Sequence, residues 1–321
     1  MLLAALGALV GTSLPLRAAN SPVTGAYPQL DTSARGTALG GDVVALTSGS
    51  DAVYWNPAGL LSLEHKEISF SYSDLFGLGL VKHTVAQFGW PHLGHKFEWQ
   101  GDHIQKVNLP PPANLAFGLG WSAVTAGLDS RNYVETQLAL SFAWRMASGT
   151  QFGLTYRLLK AQSSADSTAD GTGSALDFGM QRRLGDFRIG LAAANLTSST
   201  NWKKGRLQGV EIPEESDPLA QRWSAGLAWV PKHHPIAATF QGDWAGGGFA
   251  RVQYGAGLEW NPAKVLILRV ACRDRQDVLG SRTEMSGGLG FRVKEWQFDY
   301  GWQDSARDLG ATQRWSAAVN F

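Results

Sequence analysis

Two short stretches contain the residue types that phosphate-binding and catalytic sites use. The segment RGTALGG at residues 35–41 is rich in glycine, but no Lys-Ser or Lys-Thr pair follows it and no parallel βαβ unit surrounds it. The segment TSGSD at residues 47–51 lacks the strand-turn-helix context of a nucleophile elbow. The sequence therefore predicts no catalytic residue, and we expect that the protein is not an enzyme.

Metal chemistry has equally little support. Four histidines lie close together in the sequence, but their spacing matches no compact ligand template: His83, His92, His95 and His103. Cys272 is the only cysteine, which excludes an intramolecular disulfide and a cysteine-based zinc site. We expect no metal site and no cofactor.

The composition is typical of a sheet with one face in lipid. Charged residues make up only 17% of the chain, while Trp (13) and Gly (38) are abundant. The net charge of +1 gives no electrostatic reason to expect a nucleic-acid partner. Length alone allows two domains or one large barrel.

Hydrophobic alternation with period two runs along the chain from Glu67 onward. In EWQFDYGWQ, Trp296, Phe298 and Tyr300 share one face and Asp299 lies on the other, which is the pattern of a strand. The pattern predicts about fourteen strands, and an even number is typical of bacterial outer-membrane barrels. They begin near residues 67, 81, 114, 137, 150, 174, 187, 221, 236, 251, 265, 282, 295 and 313.

Alternating loop lengths support the same fold. Every second connection is short, for example ASG after Met146 and GD after Leu184, whereas residues 160–173 and 197–220 form longer polar connections. Short periplasmic turns and longer external loops are characteristic of transmembrane barrels. We predict an all-β, transmembrane antiparallel β-barrel in the bacterial outer membrane, with a soluble β-protein as the alternative because such proteins also alternate.

The faces opposite the apolar ones define the predicted barrel interior. Many glycines fall on these faces, and because glycine weakens a strand unless something approaches its backbone, we expect an object inside the barrel. The same faces carry charged side chains that must pair with one another. The predicted lumen-facing charges are Arg157, Asp177, Arg222, Arg251, Glu259, Arg269, Arg273, Asp299 and Arg314.

The residues before the first strand divide into two parts. Residues 1–19 resemble a secretory signal peptide, with an apolar core and small residues at the exit but no basic start. Residues 20–66 are expected to form a lumenal plug, and residues 67–321 the barrel. The alternative for residues 20–66 is a periplasmic loop.

The segment DAVYWNPAGL at residues 51–60 is the predicted centre of the plug. Pro57 forces Asn56 out of the helical region, so Asn56 caps a second turn that begins at Pro57, while Ser50 or Asp51 caps the first turn. The residues expected to shape the plug are Tyr54, Trp55, Asn56, Pro57 and Gly59.

Two quoted stretches resemble a known family. SARGTALGGDVVALTSGSDAVYWNPAGLL near the start and WQFDYGWQDSARDLGATQRWSAAVNF at the end resemble the PorV/PorQ group of outer-membrane proteins, which is similar to the FadL-type transporters. The resemblance implies a fourteen-stranded barrel whose N-terminal segment enters the lumen. It covers the chain from about Ser33 to Phe321.

One connection departs from the expected pattern. Residues 90–112 should form a tight periplasmic turn, yet the connection is long and ends in three prolines. Either it is an insertion or the strand count slips by one at this point. Because proline cannot donate a ladder hydrogen bond, a lateral gap in the wall beside Asn114 is one hypothesis and a plain loop the other.

Three functions fit these observations. The first is passive uptake of hydrophobic or amphipathic small molecules, as the FadL resemblance implies. The second is a protein-interaction barrel in type IX secretion or surface attachment, as in PorV, and the third is a structural outer-membrane protein. The expected partners are the bilayer, a hydrophobic ligand under the first hypothesis and secretion-system proteins under the second.

Overall fold

The computed structural model describes residues 30–41, 43–92, 95–100, 103–108, 114–128, 131–164, 170–202, 205–207, 210–212, 215–245, 252–277, 280–304 and 310–321. Within these ranges, no helix is long and apolar enough to cross a membrane. Two short α-helices precede the strands: α1 (Ala34–Ala38) and α2 (Ala52–Trp55). Two 3-10 helices flank α2, at Gly49–Asp51 and Pro57–Ser62.

Nineteen strands are described. In chain order they are β1 (Glu67–Leu75), β2 (Val81–His92), β3 (His95–Gln100), β4 (His103–Asn108), β5 (Leu115–Leu128), β6 (Arg131–Arg145), β7 (Gln151–Ser163), β8 (Gly171–Leu184), β9 (Phe187–Trp202), β10 (Gly205–Leu207), β11 (Val210–Ile212), β12 (Glu215–Asp217), β13 (Arg222–Trp229), β14 (Ile236–Ala245), β15 (Gln253–Ala263), β16 (Leu266–Asp277), β17 (Gly280–Val293), β18 (Trp296–Asp304) and β19 (Ala311–Asn320).

Fourteen of these strands form one closed antiparallel barrel, as predicted. Each barrel strand pairs with the next along the chain, and β19 closes the barrel by pairing with β1 from Glu67↔Asn320 to Asp74↔Gln313. The strand starts lie close to the predicted positions; the largest difference is β6, which begins at Arg131 rather than near residue 137.

The polarity of the wall is the reverse of that of a soluble protein. On β1, Ser69, Ser71 and Ser73 are buried, whereas Ile68 and Phe70 are 47% and 50% exposed. The same inversion continues around the barrel, with Leu140, Phe240, Phe298 and Trp315 among the exposed side chains. Large apolar groups outside and polar groups inside require a lipid environment, so the soluble alternative is excluded.

The long connection after β2 is an insertion and not a slip in the strand count. It contains the hairpin β3–β4, and β2 then pairs with β5 from Val81↔Ala126 to His92↔Leu115 without a shift in register. The Asn114 carbonyl accepts a hydrogen bond of 2.9 Å from the Arg145 amide. The hypothesis of a lateral gap beside Asn114 is therefore wrong, because the ladder is complete there.

Candidate functional site in the barrel lumen

Residues 30–63, the N-terminal segment, lie inside the barrel. Helix α1 begins after Ser33, whose hydroxyl accepts a hydrogen bond of 3.1 Å from the Gly36 amide. Gly40 and Gly41 follow with φ of 67° and 77°, a conformation that favours glycine and turns the chain back. Compact turns of small residues let this segment fill the lumen without long helices.

The turn around Asn56 has the geometry that its sequence predicts. Asn56 is extended (φ −161°), its side-chain oxygen accepts a hydrogen bond of 3.3 Å from the Ala58 amide, and Pro57 occupies the first helical position. The side-chain cap predicted for α2 is not formed. Asp51 makes no capping bond, and the Ser50 hydroxyl instead donates to Glu67 on β1 at 2.7 Å.

Glycines on the inner wall leave room for close contact with the N-terminal segment. A Cβ atom added at Gly153 would lie 2.5 Å from the Pro57 carbonyl carbon, and one added at Gly179 would overlap Asn56. Across the lumen, a Cβ atom at Gly190 or Gly301 would overlap the backbone of the same segment. Since these glycines belong to β7, β8, β9 and β18, the segment is clamped from several sides.

The five residues named from DAVYWNPAGL occupy different places in this packing. The ring of Tyr54 covers Gly120, whereas Trp55 packs inside the segment against Gly36 and Gly41. Gly59 would place a Cβ atom 2.5 Å from the Thr47 carbonyl oxygen, so it allows two turns of the segment to touch. Pro57 lies against Gly153 and Gly179.

Asn56 ties the segment to the wall. It is fully buried, and its amide nitrogen lies 2.9 Å from the Val44 carbonyl oxygen, 3.1 Å from that of Met180 and 3.3 Å from that of Leu191. One side chain therefore joins two turns of the segment to β8 and β9.

A four-membered ion network holds α1 on the opposite wall. The Arg35 Nε atom lies 2.9 Å from Glu259, and Arg269 bridges Glu259 at 2.8 Å and Asp299 at 2.6 Å. These residues lie on α1, β15, β16 and β18, and we call the three wall residues the charged sector: Glu259, Arg269 and Asp299. Alternating signs and short contacts offset the cost of burying these charges.

The inner wall of β1, β2 and β5 is different in chemistry. Besides Glu67 at the start of β1, it carries buried polar side chains that are small or neutral, and we call them the hydroxyl sector: Ser69, Ser71, Ser73, Gln87 and Ser122. Ser69 is paired, because its hydroxyl lies 2.7 Å from Ser50 and donates to Gln87 Oε1 at 2.9 Å. Within the described residues, the buried Ser73 hydroxyl and the Gln87 amide nitrogen have no hydrogen-bond partner.

Further buried pairs lie between the two sectors. Arg157 lies 2.8 Å from Asp177 and also donates to Asn195, while Arg273 pairs with Asp243 and donates to the Gly40 carbonyl at 3.0 Å. Each of these two arginines is thus paired with a buried carboxylate.

The predicted lumen-facing residues can now be placed. Arg157, Asp177, Arg269, Arg273 and Arg314 are buried on the inner wall, and Asp299 is nearly so. Glu259 and Arg222 are partly exposed on inward-facing positions. Arg251 lies outside the described residues.

Sequence reasoning missed several partners. Arg35 lies in the N-terminal segment, where no alternation indicates which way a side chain points. Asp243 is on the polar face of β14 and could have been found from the period-two pattern of that strand. His83 was considered only for metal binding, yet it is fully buried on β2 with its Nδ1 atom 3.2 Å from Arg314.

Burial also changes the titration of the N-terminal segment. It raises the pKa of Asp51 to about 6, with Glu67 adding to the effect and a hydrogen bond to Ser33 and the charge of Arg35 opposing it. Burial likewise raises the pKa of Tyr54. Asp51 is therefore the group of this segment whose charge changes in mildly acidic solution.

The wall is interrupted between β9 and β13. These strands pair from Phe187↔Trp229 to Ala194↔Arg222, and β9 then pairs with β12 from Thr200↔Asp217 outward. Residues 195–199 have no ladder partner on this side in the described residues, and Asn195 has a φ of 59° within a bulge. The break lies toward the external end of the barrel.

Side chains close this break instead of a ladder. The Asn195 amide donates to the Ala220 carbonyl at 2.8 Å, and Gln221 donates to the Leu196 carbonyl at 3.0 Å. Leu219 fills the space and packs with Leu159 and Ala175 in a buried apolar cluster. Side chains move more easily than a strand pairing, so this is the weakest part of the described wall.

Comparison with known proteins shows the fold. No protein-family model matches the chain, and no curated protein matches it either. Among solved structures, the toluene transporter TbuX of Ralstonia pickettii is similar, with a TM-score of 0.59, 11% identity and coverage of 91% of this chain and 99% of that one. A Pseudomonas aeruginosa FadL homologue gives a TM-score of 0.56 at 12% identity, covering 90% and 98%.

The toluene transporter TodX of Pseudomonas putida is also similar, with a TM-score of 0.55, 12% identity and coverage of 88% and 96%. The fold is that of FadL-type barrels. At these identities the likeness concerns the fold alone. Together with the apolar outer face, it shows that the protein is a barrel of the bacterial outer membrane.

Proposed function

We propose that the protein mediates passive uptake of hydrophobic or amphipathic small molecules across the outer membrane. The observation that carries the proposal is the break between β9 and β13, where side-chain hydrogen bonds replace the strand ladder beside a buried apolar cluster inside the barrel. The shared fold with toluene transporters supports transport rather than catalysis. An apolar solute that reaches the cluster would leave through the wall, because its free energy is lower in lipid than in water.

The break can be tested by filling it. Leu219→Trp adds bulk at the break, and Leu227→Trp adds the same bulk on the lipid-facing side of β13, where Leu227 is 46% exposed. In liposomes with purified protein, we expect Leu219→Trp to slow entry of toluene and of a medium-chain fatty acid, and Leu227→Trp to leave both rates unchanged. Equal rates for both variants would remove the lateral route. Wild-type protein that neither binds nor admits any member of such a panel would contradict uptake itself.

We further propose that residues 20–66 act as the plug that closes the pore. The N-terminal segment contacts glycines on opposite walls, and this packing supports the role. Deletion of residues 33–63 should raise the single-channel conductance in planar bilayers, because no other described element crosses the lumen. Conductance equal to that of the intact barrel would contradict the plug, provided that the deleted barrel keeps its heat-modifiable mobility on gels.

The first residues of the chain are the subject of a separate proposal. Residues 1–19 lie outside the described residues, and we propose that they are a signal peptide removed after Ala18 or Ala19. The intact mass of protein purified from outer membranes would show this cleavage directly.

A second candidate function is a PorV-like barrel in type IX secretion or surface attachment. One observation favours it: β8 and β9 continue to Gly171↔Trp202, well beyond the last pairing with β13, and form a raised external rim that a partner could contact. Uptake by purified protein in liposomes needs no partner, so it distinguishes the two candidates. Loss of protein secretion in a deletion strain, with uptake unchanged, would favour the second.

A further inference from the structure

The outer wall has a pit in its aromatic surface at the place where the barrel closes. Two rows of outward-facing residues cross β1, β19, β18 and β17 at this closure. The upper row pairs Tyr72 with Trp315, Trp315 with Tyr300, and Tyr300 with Leu289. All four are large, so this row stands high above the sheet.

The row below it contains a single small residue. Phe70 pairs with Ala317, Ala317 with Phe298, and Phe298 with Phe291. The missing bulk at Ala317 leaves a pit of about 450 Å³ between the rings. Phe70 and Phe298 are 50% and 48% exposed, so the pit opens outward.

The floor of the pit is held from inside. Ser316, which also lines the pit, accepts a hydrogen bond of 2.7 Å from the Ala34 amide at the start of α1. Asp299 at the same floor belongs to the charged sector and is fixed by Arg269. The floor of the pit is therefore fixed to the N-terminal segment and to the charged sector.

Its depth in the membrane follows from its position along the strands. Ala317 precedes the periplasmic end of β19 at Asn320 by three residues, which at about 3.3 Å per residue is roughly 10 Å along the strand. The apolar band of such barrels is about 25 Å tall. The pit consequently faces the periplasmic leaflet of the outer membrane.

We propose that this pit is a binding site for one acyl chain of a phospholipid in the periplasmic leaflet. The pit is continuous with the lipid-facing surface, so acyl chains are the groups that reach it. An unfilled pit would forfeit dispersion contacts on every ring that lines it, and a flexible chain restores them. Its lining is almost entirely apolar, which excludes a charged or polar occupant.

The site can be removed without touching the lumen. Ala317→Phe fills the pit, and Ala256→Phe places the same ring on the outward face of β15, beside Phe240 and Cys272. Native mass spectrometry of protein extracted in mild detergent should show a retained phospholipid on the wild type and on Ala256→Phe. We expect Ala317→Phe to lose that adduct. Equal retention in both variants, or no retained lipid on the wild type, would overturn the proposal.

A second measurement does not depend on the variants. Phospholipids carrying a photoreactive diazirine on one acyl chain should crosslink preferentially to peptides that contain residues 68–72 and 313–317 in the wild-type protein. Crosslinks spread evenly around the barrel would contradict a defined site. A dimer mass that disappears in Ala317→Phe would assign the pit to a second copy of the chain instead, and would equally overturn it.

Discussion

The charged sector and the hydroxyl sector bind the same N-terminal segment by opposite means. In the charged sector, Arg35 forms an ion pair with Glu259, and Arg269 pairs with both Glu259 and Asp299. In the hydroxyl sector, Ser69 is paired but Ser73 is buried without a partner in the described residues. The segment is therefore held on β15–β18 by ion pairs and on β1 by hydrogen bonds, from Ser50 to Glu67 and Ser69 and from Ser71 to the Thr32 carbonyl.

Among the substitutions that test this comparison, Arg269→Met should have the largest effect on stability. Removing the central cation leaves Asp299 without its ion pair and Glu259 with Arg35 alone, and breaking such a buried network costs about 3–5 kcal/mol. The free energy of unfolding, measured by urea titration in detergent or vesicles, should fall by that amount. The control is Arg282→Met, because the pair Arg282–Asp304 is much more exposed and its loss should cost less than about 1 kcal/mol. Equal effects would show that the network anchors nothing.

Glycine substitutions on the strands of the two sectors should differ in how much they lower stability. A Cβ atom at Gly301 would overlap the Ala34 carbonyl, and backbone cannot yield, whereas one at Gly118 would lie 2.6 Å from a Val53 methyl group that can shift. Overpacking of this kind costs about 1–3 kcal/mol, and we expect Gly301→Ala near the upper value and Gly118→Ala near the lower. Thermal unfolding of the two variants in one detergent would rank them, and the reverse ranking would show that the side chains around Gly118 cannot shift.

The pH dependence follows from Asp51. Its pKa is raised to about 6 by burial, above the ordinary 3.8, so the folded protein binds this proton more tightly than the unfolded chain. The stabilisation is therefore fully present below pH 3.8 and is lost as the pH rises through 6. The unfolding temperature of Asp51→Asn should lack this pH-dependent contribution. The variant keeps the neighbouring charged residues Glu67, Arg35 and Asp299, so the difference from the wild type reports on Asp51. A pH profile identical to that of the wild type would contradict the assignment to Asp51.

Serine variants give the smallest expected effect. Ser69→Ala removes paired hydroxyl contacts and should destabilise by about 1 kcal/mol. Ser73→Ala removes a buried hydroxyl that is unpaired in the described residues, so stability should stay the same or rise slightly. Loss of stability in Ser73→Ala equal to that in Ser69→Ala would show that the hydroxyl sector is fully hydrogen-bonded in solution.

Much of the barrel followed from alternation, because a strand with one face in lipid and one in a polar lumen has period two whatever its neighbours are. For this reason the alternation places Asp299 and Arg157 in the interior, together with the glycines that contact the N-terminal segment. The boundaries were less certain. Asn132 and Thr136 are polar residues on the outward face of β6, so the apolar pattern stops there and the start of the strand was placed too late.

The N-terminal segment could be predicted only in part. The order Asn56-Pro57 fixes a cap and a first helical residue through local sterics, and the sequence alone carries that information. The partners of Asn56 on β8 and β9, and of Arg35 on β15, are more than a hundred residues away. No local rule selects one strand among fourteen for such contacts.

The position of the break in the wall was decided by the tertiary structure. Three prolines near residue 112 raised a gap between β2 and β5 as one hypothesis, with a plain loop as the other, but the β2–β5 ladder is intact. The actual interruption lies at Asn195, which is hydrogen-bonded to Arg157 and Asp177, and farther out β9 pairs with β12 instead of β13. The sequence determines which faces meet lipid and which meet the lumen, since that depends on spacing along one strand. Which strands pair fully, and where the wall is held by side chains alone, depends on contacts between distant residues.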